Sequence, residues 1–174
     1  YLLQTIKGVK PKKFARLTYQ QAMEKYGTDK PDLRFGMEIV EITNLCQKKG
    51  FSVFDNSELV AAINVKGGSK YSRKQLDKLT EFVKTPQIGA SGLIYCKFLE
   101  DDTTKSSIDK FFNEPDKKEW GNKADSNNGD MLIIMAGEKN KTRKALGALR
   151  LHLGNELNLR DPERFAPVWI VDFP

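Results

Sequence analysis

"LVAAINVKGGSKYSRKQLDKLTEFVK", residues 59–84, is the stretch on which the fold turns. Its first seven residues, "LVAAINV", are apolar and partly β-branched and read as a strand. Ser72 and Gln75 have the spacing of a capping box, and Leu76, Leu79, Phe82 and Val83 recur as one helical face until Pro86 forbids continuation. The glycines between strand and helix raise the question of a phosphate cradle. The spacing answers against a Walker loop, because G-x-x-x-x-G-K-[ST] is required and Lys70 is followed by Tyr71. "KGGSKYSRK" (66–74) is then either a plain strand-to-helix connection or a basic patch in which Lys70, Tyr71, Arg73 and Lys74 touch RNA backbone.

Upstream, "FSVF" (51–54) reads as a short strand joined to "LVAAINV" by the turn-forming "DNSE", which makes a hairpin. Downstream, "ASGLIYCKFL" (90–99), "DMLIIMAG" (130–137) and "APVWIVDFP" (166–174) read as strands. Ser106 or Ser107 caps a short expected helix through Ile108, Phe111 and Phe112, and the Asn-, Asp-, Gly- and Lys-rich stretch 113–129 is expected at the surface. A long helix carries the seam Leu146, Leu149, Leu153 and Leu157. Arg143, Gly147, Arg150 and Gly154 form a second row on it, where glycines more often permit close packing than ligand approach.

Near the start, Thr18 and Gln21 form another capping box, with Tyr19, Ala22, Met23 and Tyr26 on one face and Gly27 as terminator. Thr28, Asp29 and Pro31 build a turn, and "RFGMEIVEI" (34–42) is the strand after it. A hairpin with short, unequal helices argues for α+β, an antiparallel or mixed β-sheet with helices packed on one face, rather than a doubly wound parallel sheet.

Several chemistries are excluded. Cys46 and Cys96 have no CxxC partner and His152 is the single histidine, so a zinc site and a Ser or Cys triad lack their parts. Asp125 and Asp130 lack the alternation of a calcium loop, and nothing desolvates Asp101 or Asp102 for acid–base work. No catalytic or metal-binding residue is assigned. Two isolated cysteines fit a reducing cytoplasm, and no apolar run reaches the length of a membrane span. With Tyr1 in place of Met and a strand stopping at Pro174, both ends are expected to be cuts in a longer chain.

The formal net charge of +6 is unevenly placed. Lys7, Lys10, Lys12, Lys13 and Arg16 precede any acid, and residues 139–160 hold six Lys or Arg against Glu156 alone. Segregated basic surface fits a polyanion partner through phosphate neutralisation, or simply a solvated face.

"TYQQAMEKYGTDKPDLRFGMEI" (18–39) resembles the signature of bacterial aspartyl-tRNA synthetases nearly residue for residue. "LGALRLHLGNELNL" and "FAPVWIVDFP" are similar to the helix and strand by which that family's chain returns to its catalytic sheet. Between them, "FSVFDNSE", "YSRKQLDKL", "GASGLIY" and "NNGDMLIIMAG" resemble the inserted GAD domain, shared with the B subunit of a tRNA-dependent amidotransferase. The resemblance implies a segment leading out of a class II catalytic module (1–34), a GAD insertion domain (35–159) and a returning strand (160–174). It implies a parent that joins aspartate to tRNA with ATP and Mg²⁺, as a cytoplasmic homodimer, in parts of the chain beyond this one. This segment would then be non-catalytic and monomeric, bind no cofactor, and lie against the catalytic module of its own chain. Lys30, Arg34, Lys70, Tyr71, Arg73, Lys74, Arg143 and Arg150 are the expected tRNA contacts, and "KYGTDKPDLRFG" (25–36) the expected hinge. The alternative is an independent basic α+β RNA-binding or scaffold module, such as the amidotransferase GAD domain.

Overall fold

Apolar residues without polar interruption form strands that can be buried on both faces, and two such strands organise this molecule. A computed structural model describes residues 14–174 together with Thr5 and Gly8. In chain order its elements are β1 (Ala15–Thr18), α1 (Tyr19–Tyr26), β2 (Ile39–Glu41), α2 (Thr43–Cys46), α3 (Ser52–Asp55), β3 (Leu59–Val65), a 3-10 turn (Gly68–Lys70) and α4 (Arg73–Lys84). Then follow β4 (Ile94–Phe98), β5 (Thr104–Ser106), α5 (Glu114–Lys123), β6 (Met131–Gly137), α6 (Lys139–Glu156) and β7 (Val168–Val171).

Five strands form one antiparallel sheet in the order β2-β3-β6-β4-β5. Strand β3 is buried along its whole length, with Leu59 opposite Gly137 and Val65 opposite Met131. On one face Leu59, Ala61, Ile63, Val65, Met131, Ile133 and Met135 pack against Leu76, Leu79 and Val83 of α4 and Leu146, Leu149 and Leu153 of α6. On the other, Val60, Ala62, Leu132 and Ile134 pack with Cys46, Phe54, Phe112 and Trp120. Each fully buried side chain of this size contributes about 1.5–3 kcal/mol, so covering the second face is a major share of stability.

The α+β class and the antiparallel sheet stand as expected, but helices cover both faces rather than one. Four local elements differ from what the sequence suggests, and the first two supply helices to the second face. "FSVF" does not pair with β3 as a hairpin; Ser52–Asp55 is a helical turn. A strand would send residues 51 and 54 to opposite faces, whereas the helical turn lets Phe51 and Phe54 share one cluster, their rings edge to face at 4.9 Å. Residues 113–129 are not mostly surface, because Asn113 and Asp116 make a capping box for α5 and Trp120 is fully buried. No helix forms after Ser106: its hydroxyl donates to the Tyr95 carbonyl and accepts from the Ile108 amide, turning the chain so that Ile108 and Phe112 still reach the core. Within "RFGMEIVEI" only Ile39–Glu41 is strand, for a reason set by Arg150 below.

The two ends of the described chain meet. β1 and β7 pair in parallel as a separate ribbon, from Ala15 with Val168 to Thr18 with Val171, and Phe14 packs near Trp169.

Candidate functional site

The loop between α1 and β2 carries a network of ion pairs and hydrogen bonds. Thr18 caps α1 as its sequence requires, and Gly27 ends the helix in a left-handed conformation. Gly27 and Gly147 lie backbone to backbone: a Cβ on either would collide with main-chain atoms of the other helix, at Arg143 and at Tyr26 respectively. Gly154 admits the Phe35 ring in the same way. The glycine row on α6 therefore serves close packing.

That approach brings Arg150 under the loop. It is 1% exposed, with Nε donating to the Met37 carbonyl at 3.1 Å and Nη2 near the carbonyls of Asp32, Phe35 and Gly36 at 2.9, 2.9 and 2.7 Å. Its guanidinium carbon lies 4.0 Å from the Phe35 ring centroid and 4.9 Å from that of Tyr26. No carboxylate touches it, and burial pulls its pKa down from the usual arginine range. Carbonyl dipoles and ring faces do the work of a counter-ion. Wrapping residues 32–37 around the guanidinium turns this backbone away from the sheet, Met37 taking a left-handed φ of 63°, and so shortens β2.

A second cation pair ties the loop to the returning chain. Asp32 accepts from Arg34 Nη2 at 2.7 Å and from Arg160 Nε at 2.9 Å, while Arg34 Nη1 donates to the Asp161 carbonyl at 2.9 Å. Arg34 first, then the Arg34 amide and Arg160, hold the Asp32 carboxyl well below the usual carboxylate range against the opposing effect of burial. Tyr26 donates to Glu38 at 2.8 Å, and burial plus that carboxylate push its hydroxyl up to about 12. "KYGTDKPDLRFG", the expected hinge, is thus cross-linked to the returning chain at Arg160 and Asp161. Beside it opens a cleft of about 760 Å³, walled by Met37, Val40, Leu157 and Leu159 and floored by Asn64.

The basic loop is built differently. Gly67 adopts a φ of 68° and its amide donates to Asp130; the Ser69 amide donates to the Gly129 carbonyl, and Ser72 caps α4. The Gly67 and Ser69 amides are thus engaged within the protein, and the cations of the loop and first turn of α4 stand outside it. Lys70, Arg73 and Lys74 are exposed and, among the described residues, take part in no ion pair shorter than 4.0 Å. Lys30, just before Pro31, is likewise exposed.

The other expected contacts point elsewhere. Arg150 is sealed in the joint, and Arg143 is 8% exposed between Glu24 and Glu41 at 3.5 and 3.7 Å. Tyr71 is buried, donates to Glu156 at 3.3 Å, and has its hydroxyl pushed up to about 12, chiefly by burial. Arg34 is half-buried on Asp32. Burial and neutralising partners remove Arg143, Arg150 and Tyr71 from reach of an RNA backbone. The basic run Lys7, Lys10, Lys12 and Lys13 lies outside the described residues.

Cys46 and Cys96 are buried, and burial raises both thiols, that of Cys96 to about 12, which suppresses thiolate chemistry. His152 stacks on Phe82 at 4.1 Å. Among the described residues no His, Cys, Asp or Glu trio is placed to hold a metal, and no helix is long and apolar enough to cross a membrane. Asp32 and Arg160 are functional residues beyond those expected from the sequence; Asp32 and Arg34, two apart in "DLR", carry a local signal, while Arg160 carries none.

Fold and site together define an α+β domain with a doubly covered antiparallel sheet, whose entering and leaving strands run side by side through a clamped joint. The sequence pattern of the GAD domain matches residues 52–146, and the chain belongs to that family. It is 49% identical over 174 residues to the aspartate–tRNA ligase of Flavobacterium psychrophilum and 49% identical to that of Azobacteroides pseudotrichonymphae. Against that of Parabacteroides distasonis it is 48% identical over 176 aligned positions. All of this chain is covered in each case, and it spans 30% of the length of these relatives.

Proposed function

We propose that this chain is the insertion-domain segment of an aspartate–tRNA ligase, a protein that joins aspartate to tRNA in protein synthesis using ATP and Mg²⁺. The segment takes no part in the chemistry; it supports the catalytic module of its own chain and touches the tRNA backbone through Lys30, Lys70, Arg73 and Lys74. The observation that carries this reading is that likeness to the ligases extends over all 174 residues, beyond the GAD match at 52–146 on both sides. The flanks include the Asp32–Arg34–Arg160 clamp and the β1–β7 ribbon. ATP, Mg²⁺, aspartate and a partner subunit belong to other parts of the longer, cytoplasmic protein.

The test is an assay of the longer protein that contains this chain. Aspartate-dependent ATP–pyrophosphate exchange and aspartylation of tRNA are expected there, and neither from residues 1–174 alone. A longer protein without aspartate-dependent exchange refutes the ligase reading, and exchange by the segment itself refutes its non-catalytic role.

A further inference from the structure

We infer that Arg150 and Asp32 are positioning residues that weld the GAD unit to the β1–β7 ribbon as one rigid body, so that the insertion is a fixed arm and not a hinged one. The inference rests on the proposed function only in taking the ribbon as the part of this chain nearest the catalytic module.

A hinge needs a short segment whose φ and ψ can change without breaking many contacts. Both connections between the two sheets are fastened along part of their length. On the outgoing side β1 runs straight into α1 through the Thr18 cap, and α1 ends against α6 at the Gly27–Gly147 approach, which leaves no space for sliding. Residues 32–37 then wrap the Arg150 guanidinium by four carbonyl contacts. On the returning side α6 ends at Glu156, and Asn155 Oδ1 accepts from Arg160 at 2.9 Å. Arg160 and Asp161 are in turn held to Asp32 and Arg34. The outgoing and returning chains are therefore cross-linked at residues 32–34 and 160–161 as well as by the pairing of β1 with β7.

The chemistry of the clamp suits a fixed angle. A guanidinium has donors in a rigid planar fork and stays charged, so four carbonyls around it define one backbone path. A lysine at 150 would keep the charge but lose the fork and the stacking against Phe35 and Tyr26. Removing the Asp32 charge would leave Arg34 and Arg160 repelling each other across the joint.

Residual dipolar couplings of backbone amides in the 174-residue chain test this directly. Couplings from the five-stranded sheet (59–65, 94–98, 131–137) and from the ribbon (15–18, 168–171) are expected to fit one alignment tensor. In Arg150→Lys, and separately in the milder Asp32→Asn, the ribbon's tensor should shrink while hydrogen-exchange protection in β3 and β6 stays within about tenfold of wild type. Two tensors in the wild-type chain, or one undiminished tensor in both variants, overturn the inference. In the longer protein Asp32→Asn should slow transfer to tRNA and leave pyrophosphate exchange unchanged; equal loss of both steps contradicts a positioning role. A longer protein lacking exchange altogether would refute the ligase reading and leave the tensor result standing.

Discussion

Helix α6 and the loop before α4 are both basic in sequence, yet their cations have opposite fates. Arg143 and Arg150 are drawn inward, one between Glu24 and Glu41, the other beneath four carbonyls and two rings. Lys70, at the end of that loop, and Arg73 and Lys74, in the first turn of α4, remain in water, while the Gly67 and Ser69 amides are bonded to Asp130 and Gly129. A cation's role is settled by what acceptors lie within reach after folding, and net charge along a segment carries no information about that. Glycine decides it here, since only the Gly27–Gly147 approach brings Arg150 near residues 32–37.

The contrast can be broken in stages. Arg150→Ala strands four carbonyls in the joint and should lower unfolding free energy in urea by about 3–5 kcal/mol. Retention of wild-type stability would mean the clamp is ornamental. Gly147→Ala, which drives a methyl into the Tyr26 carbonyl, should cost about 2–3 kcal/mol on the same denaturation curve. A smaller effect is expected from pH. The Asp32 carboxyl is depressed by Arg34 and Arg160, so its contribution is complete above the unfolded pKa of about 3.9 and fades as pH falls toward the folded value. Urea midpoints between pH 5 and 2 should fall less steeply in Asp32→Asn than in wild type, and equal slopes would remove Asp32 from the clamp. Lys70→Glu with Lys74→Glu should leave stability within about 0.5 kcal/mol, as exposed side chains do; a larger loss would give the loop lysines a structural role.

Local rules were well expressed in the sequence. Both capping boxes, at Thr18 and Ser72, form as their spacing requires, and Gly27 and Pro86 stop their helices. The apolar runs at 59–65 and 131–137 become the central strands. Errors gathered where the partner is distant in sequence. "FSVF" has strand composition, and only the later Phe112 and Trp120 make a helical turn the better way to bury Phe54. Asn113, Pro115 and Asp116 did signal the start of α5, a legible cap masked by polar composition. For the site, the glycine spacing on α6 pointed to close packing, but the carbonyl cage of Arg150 joins residues 113 to 118 positions apart and has no local signature.

The central claim, that the loop lysines meet RNA while the α6 arginines hold the joint, is tested most directly by the salt dependence of tRNA binding. Lys70→Glu with Lys74→Glu should reduce the slope of log affinity against log salt by about 2, and Arg150→Lys should leave that slope at the wild-type value. An unchanged slope in the loop variant, or a reduced slope on changing Arg150 alone, would contradict the account.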